Sequence, residues 1–170
     1  MFILTTVFAR TLALMFAFFC LSIAAIAQNS SVPKGWKQVT ACEFSFLLPD
    51  DALQRKTHPV DSCLAGFDTK DIHIGLDYGL YSGPGSQQEW EKNYRNLPVK
   101  INGRKASLIT YEIDERNPEF PCITMIHMWT SEPSMETGPG VSILMVISSK
   151  RSVEPRIVKQ IYESLKFVGK

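Results

Sequence analysis

Apolar and polar residues alternate with a period of two along much of this chain, a rhythm that predicts strands. Cys42, Phe44, Phe46 and Leu48 stand at every second position, with Glu43, Ser45 and Leu47 between them. Pro49-Asp50-Asp51 ends this strand, because proline cannot extend a ladder and aspartate favours turns. A polar loop is expected from there to His58-Pro59, followed by a short strand-like run from Ser62 to Phe67. Next, Ile72, Ile74, Leu76, Tyr78 and Leu80 share one face, and His73, Gly75, Asp77, Gly79 and Tyr81 share the other. The two glycines strip side chains from that second face, so a bulge, a close neighbour or an approaching ligand is expected there.

Ser82-Gly83-Pro84-Gly85 interrupts the pattern. From Gln87 to Leu97 the period lengthens. Trp90, Tyr94 and Leu97, at spacings of four and three, predict a short amphipathic helix that Pro98 stops. Asn102-Gly103 lies between two strand-like runs, as a two-residue type I′ hairpin requires. A long strand follows from Ala106 to Ile113, with Ile109, Tyr111 and Ile113 on one face. After an Arg116-Asn117-Pro118 loop come strands Cys122–Thr130 and Val141–Ser149, joined by a connection rich in Ser, Glu, Pro and Gly. A closing helix is expected over Val153–Phe167, N-capped by Ser152, with Pro155 in its first turn. Ile157, Val158, Ile161, Tyr162 and Leu165 form its apolar stripe. The element order and short connections predict an α+β fold: an antiparallel sheet with helices packed against it.

The N-terminus has a different character. An almost unbroken apolar run from Leu12 to Ile26 follows Arg10 and closes on Ala25-Ile26-Ala27, with small residues where signal peptidase needs them. Residues 1–27 are therefore read as a signal peptide, Gln28 as the mature start, 28–34 as a flexible leader and 35–170 as one domain. The competing reading is a retained anchor, but Thr11 to Ala27 falls short of the roughly 20 residues that cross a bilayer. A lipoprotein signal would need Cys20 preceded by a small residue, and Phe19 stands there. The expected location is periplasmic or secreted, with membrane contact only through the signal peptide.

The whole chain carries 18 Lys plus Arg against 17 Asp plus Glu, and the signal removes only Arg10. The mature protein is thus formally neutral, which leaves no electrostatic drive toward nucleic acid or anionic lipid. About 143 mature residues are enough for one well-buried core. Cys42, Cys63 and Cys122 survive processing and match no zinc spacing. They are either small apolar side chains on strand faces or one disulfide plus one thiol, with three pairings open.

Gly35-Trp36 before the first strand, Phe44-Ser45-Phe46 leading to Leu48-Pro49, Ile101-Asn102-Gly103-Arg104 before Ala106, and the ending Ile161 to Phe167 together resemble the PsbP-like family. The resemblance spans most of residues 35–167. It implies a helix-flanked antiparallel sheet, an α/β/α sandwich, and a non-enzymatic scaffold that binds a protein or small partner. Asp77-Tyr78-Gly79-Leu80-Tyr81-Ser82 is similar to a segment of small secreted bacterial proteins. No photosystem-binding segment is present, so that role is not carried over.

The candidate binding residues are His73, Asp77 and Tyr81, on the polar face of the Ile72–Tyr81 strand, together with Arg104. His73 and Asp77 point the same way roughly 13 Å apart, so they can line one groove without touching. Arg104 belongs to a local basic group with Lys92, Arg95, Lys100 and Lys105, for which a solvated rim is the plainer reading. A thiol enzyme would recruit Cys63 with His73 or His127 and Asp77, though no local motif supports it. No G-x-S-x-G elbow is present, and His58, His73 and His127 are too scattered for a metal site. No catalytic residue, metal or cofactor is expected. The sequence points to a non-enzymatic binding or accessory module. The alternatives are an interaction partner or inhibitor acting through its loops, and a small thiol-dependent enzyme using Cys63.

Overall fold

Asn102 and Gly103 both take positive φ, 47° and 82°, so the tight turn forms as its residue types require. It joins β6 (Lys92–Ile101) to β7 (Arg104–Glu112) in an antiparallel hairpin. The computed structural model describes residues 32–58, 61–85, 89–113, 115–131 and 140–168. The expected signal peptide and most of the leader lie outside them.

The remaining strands are β1 (Trp36–Ala41), β2 (Phe44–Pro49), β3 (Leu53–Arg55), β4 (Cys63–Asp68), β5 (Ile72–Gly79), β8 (Cys122–Ser131), β9 (Val141–Ser149) and β10 (Lys166–Phe167). One helix, α1 (Pro155–Glu163), is present among the described residues. Seven strands form one sheet in the order β3-β4-β5-β9-β8-β7-β6, and β1-β2-β10 form a second. Every pairing is antiparallel.

This architecture corrects the expected α/β/α sandwich. The described residues are mostly β, with two antiparallel sheets and, among them, a single helix rather than a sheet flanked by helices. The Gln87–Leu97 helix does not form. Most of its span is the first part of β6, and residues 86–88 lie outside the described set. An odd spacing puts two strand residues on opposite faces. Tyr94 packs on one side of the sheet and Leu97 points to the other, at the edge, half exposed. Trp90 is 79% exposed, so the supposed apolar stripe covers nothing. An eleven-residue helix gains little alone, whereas the Asn102-Gly103 hairpin pairs β6 with β7 along most of its length. Pro98 is tolerated because β6 is an edge strand whose outer N–H positions need no partner.

Other boundaries shift as well. Cys42 is not in a strand; with Glu43 it makes the β1–β2 turn, both at positive φ (50° and 64°). The expected loop after Asp51 contains β3, paired with β4. The helix begins at Pro155 with Glu154 in the N-cap position and no side-chain cap, so Ser152 does not serve there. It ends at Ser164, whose hydroxyl donates to Ile161 O and accepts from Leu47 N (2.7 and 2.8 Å). Lys166 and Phe167 leave the helix and join β2 as a third strand.

The main core lies between the two sheets. Phe44, Phe46 and Leu48 of β2 meet Ile72, Ile74 and Leu76 of β5 and Ile143, Met145 and Ile147 of β9, closed by Val158, Ile161 and Leu165. The disulfide Cys42–Cys63 ties the β1–β2 turn to the start of β4, with Cα atoms 5.5 Å apart. Cys122 stands outside it. The opposite face of the large sheet carries a smaller cluster of Ile109, Ile123 and Met125, flanked by Tyr94, Tyr111, Leu144 and Val146.

Candidate functional site

Cross-strand register arranges that outer face in rows. Arg55, Gly66, Gly75, Val146, Met125 and Ile109 lie directly opposite one another across six strands. On one side runs the row Asp68, His73, Ser148, Ile123; on the other runs Leu64, Asp77, Leu144, His127, Ser107. Gly75 thus sinks a hollow into the sheet between two walls that bear side chains, while the Arg55 guanidinium covers its neighbour Gly66.

The hollow is open at one end. Arg55, His73, Ile74, Gly75, Val146 and Ser148 border a groove of about 510 Å³, overhung by Asn117, Glu119 and Phe120. The overhang is held in place. Asn117 Oδ1 accepts from Phe120 N at 3.2 Å, and the Phe120 ring stands edge-on to His73, centroids 4.0 Å apart. Lys150 sits 5.4 Å above the Phe120 ring and reaches Asp71 and Glu119 at 3.3 and 3.6 Å. Asp68 Oδ1 lies 2.9 Å from His73 Nδ1 and 3.4 Å from Arg55 Nη1. Both contacts are close, yet neither has hydrogen-bond alignment, so this water-shielded oxygen keeps an unfilled acceptor.

The other end is strapped shut. Ser82 is buried and donates to Asp77 Oδ1 at 2.8 Å, while the buried hydroxyl of Ser142 donates to Ser82 O. A side chain at Gly79 would meet Ser62 Cβ at 2.8 Å, so only glycine admits this packing. Beyond the strap, His127 stands edge-on to Trp129, centroids 5.2 Å apart, with Nε2 shielded from water and lacking a well-aligned partner. Its pKa is lowered from the ordinary 6.5, first by burial, and the Ser82 backbone offsets this only in part.

A pH dependence follows from His127. The unfolded chain takes up a proton near pH 6.5, while the folded protein resists it until lower pH. The stability that His127 contributes is therefore complete above that value and lost as pH falls below it. Urea unfolding at about pH 7.5 and about pH 5.5 should show a midpoint drop that is smaller in His127→Gln. Equal drops in both proteins would remove His127 as the cause.

His73 and Asp77 share the outer face, as two residues four apart on one strand must. Tyr81 lies past the end of β5, 85% exposed, and does not border the groove. Arg104 belongs to the opposite face: it donates to Thr130 O at 3.4 Å and lies 5.6 Å from the Phe167 ring centroid. Register divides the basic group in the same way. Lys100 and Lys105 face each other on the outer side, while Arg104 pairs with Ile101 on the inner. A second hollow, about 420 Å³, between Glu91, Glu112 and Arg116 is lined by carboxylates already paired, Glu91 with Arg116 and Glu112 with Arg151 outside the hollow.

No catalytic set is gathered from the sequence candidates. Cys63 is a half-cystine opposite Tyr78, on the inner face, away from His73, Asp77 and His127. In the oxidised protein it offers no thiolate. Ser82 donates to Asp77, and no imidazole joins the pair to make the serine–histidine arrangement of a hydrolase. Among the described residues no group of three His, Cys, Asp or Glu could hold a metal ion.

Arg55, Asp68, Asn117, Phe120 and Ser148 were not among the sequence candidates. Of these, only Asp68 had a local signal, in the turn at Thr69, whose hydroxyl accepts from Asp71 N and Ile72 N (3.1 and 2.9 Å). Centring the β4–β5 hairpin there places Gly66 opposite Gly75 and Asp68 opposite His73.

No family model matches the chain, and comparison with curated proteins gives no match. The PsbP-like resemblance therefore stands on its sequence motifs alone, and the helix-flanked sandwich it implied is not the fold observed.

Proposed function

We propose that the protein is an exported, non-enzymatic binding module, periplasmic or secreted, that seats a small organic ligand in the glycine-floored groove. One observation carries this reading: nothing lies within 4 Å of the place a Gly75 Cβ would take, and this hollow opens beside Arg55, His73 and the Phe120 overhang. A sheet surface with no ligand to admit has no need of that hollow, because most residues fill their face and glycine weakens a strand. Its volume is within the range of small-molecule sites. The apolar N-terminus and the disulfide are consistent with an oxidising compartment outside the cytoplasm. Formal neutrality argues against nucleic acid as the partner.

Amide chemical-shift mapping with a set of small organic compounds of mixed charge tests the reading. Binders should perturb the backbone of 73–75 and 146–148. A screen whose hits leave those amides unmoved would refute it.

A further inference from the structure

We infer that the groove selects a flat, uncharged ring, which stands on edge over Gly75 between Arg55 and Val146 and turns a hydroxyl to Ser148. The inference rests on the binding-module reading and adds the ligand class.

Register sets the width of the slot. Arg55, Gly66, Gly75 and Val146 lie in one row, and nothing comes within 4 Å of the place a Gly75 Cβ would take. On one side the Arg55 guanidinium covers Gly66, with Nε and Nη2 lying 2.8 and 2.9 Å from where a Cβ would be. On the other side stands Val146. Gly66 and Val146 are two strand spacings apart, about 9.6 Å. Atoms in contact lie about 3.5–4.0 Å apart, so a ring one atom thick fills the distance between these walls. A puckered saturated ring is thicker and has to push one of them aside. The face of the flat ring then looks toward Arg55, and a cation over a π face favours an aromatic ring over a saturated one.

Charge narrows the class further. The Nε–Nη2 edge of Arg55 is aimed at Gly66 and Nη1 at Asp68 Oδ1, so no donor fork is left for an anion. Asp68, Asp71 and Glu119 also outnumber Arg55 and Lys150 around the groove, which repels an anion again. Yet each of these acids already has a cation beside it, Asp68 having Arg55, and Asp71 and Glu119 sharing Lys150. A ligand ammonium would give up water without meeting a free counter-charge. Ser148 is the polar group left beside the floor. It stands opposite His73 and borders the groove, and among the described residues its hydroxyl has no partner. A hydroxyl both donates and accepts, so it suits an uncharged alcohol.

Benzyl alcohol, cyclohexylmethanol, benzylammonium and benzoate, titrated into the wild-type protein and read by the amide shifts of 73–75 and 146–148, test this directly. Benzyl alcohol should bind about ten-fold more tightly than cyclohexylmethanol, whose extra thickness has to displace a wall. It should exceed either ion by about ten-fold or more. Val146→Ala widens the slot and should bring cyclohexylmethanol level with benzyl alcohol. Ser148→Ala should weaken benzyl alcohol about five-fold. Gly75→Val should block every compound. Its Cβ enters open space without a left-handed φ, and valine suits a strand, so thermal unfolding should confirm an intact fold. Equal or tighter binding of cyclohexylmethanol or of either ion, or a preference that survives Val146→Ala, Ser148→Ala or Gly75→Val unchanged, each overturns the flat, uncharged ring. If compounds still map to the groove in that event, the binding-module reading survives. If no compound perturbs the groove, both fall.

Discussion

Phe46→Ala is expected to lower the unfolding free energy by about 3–5 kcal/mol. Phe46 is 1% exposed and sits where the three-stranded sheet meets the seven-stranded one. Its ring stands nearly perpendicular to that of Phe67 on β4, centroids 5.7 Å apart. Truncation removes a buried aromatic surface and leaves a cavity that the two sheets cannot close without separating from α1 and the disulfide. Urea unfolding measures the loss. A double-mutant cycle with Phe67→Leu should add a coupling of about 0.5–1.5 kcal/mol for the edge-to-face pair. A loss near 1 kcal/mol would mean that the sheets do not share one core.

Opening the Cys42–Cys63 bridge is the second large perturbation. The half-cystines are 21 residues apart in sequence, and closing a loop of about that length restricts the unfolded chain by about 3 kcal/mol. The bridge also holds the β1–β2 turn, where Cys42 and Glu43 both occupy the left-handed region, at a penalty on the order of 1 kcal/mol each. Cys42→Ser with Cys63→Ser, or reduction by dithiothreitol, should therefore lower the urea midpoint substantially. The reduced wild type and the double variant should agree. An unchanged midpoint would show that the sheets are held by packing alone.

The two perturbations act on the same junction from different sides. One weakens the folded core, and the other loosens the unfolded chain. Residues so close in the fold couple, so the triple variant should lose a different amount from the two losses combined.

How much was readable before the fold was known differs from element to element. The alternation at Phe44, Phe46 and Leu48, and again at Ile72, Ile74 and Leu76, assigned inward faces that the structure keeps. Asn102-Gly103 named its own turn because both positions need positive φ. These features depend on neighbours in sequence, so a local pattern suffices. The stretch from Trp90 to Leu97 misled for the opposite reason. Its spacing has helical period, yet β7 lay within reach to supply a ladder, and long-range pairing outweighed local preference.

The groove shows the same division. His73 and Asp77 on one face, and glycines stripping that face, are local facts of β5. That Gly66 stands beside Gly75, and that Arg55 folds onto Gly66, depends on register across three strands. The disulfide likewise required Cys42 and Cys63 to meet across two sheets, which left three pairings equal until the sheets stacked. The chain by itself thus determined which side chains turn inward, where one hairpin bends and the character of its apolar N-terminal segment. Tertiary structure alone decided the layers, the bridge and the row that builds the site, because strand register is a compromise among distant contacts.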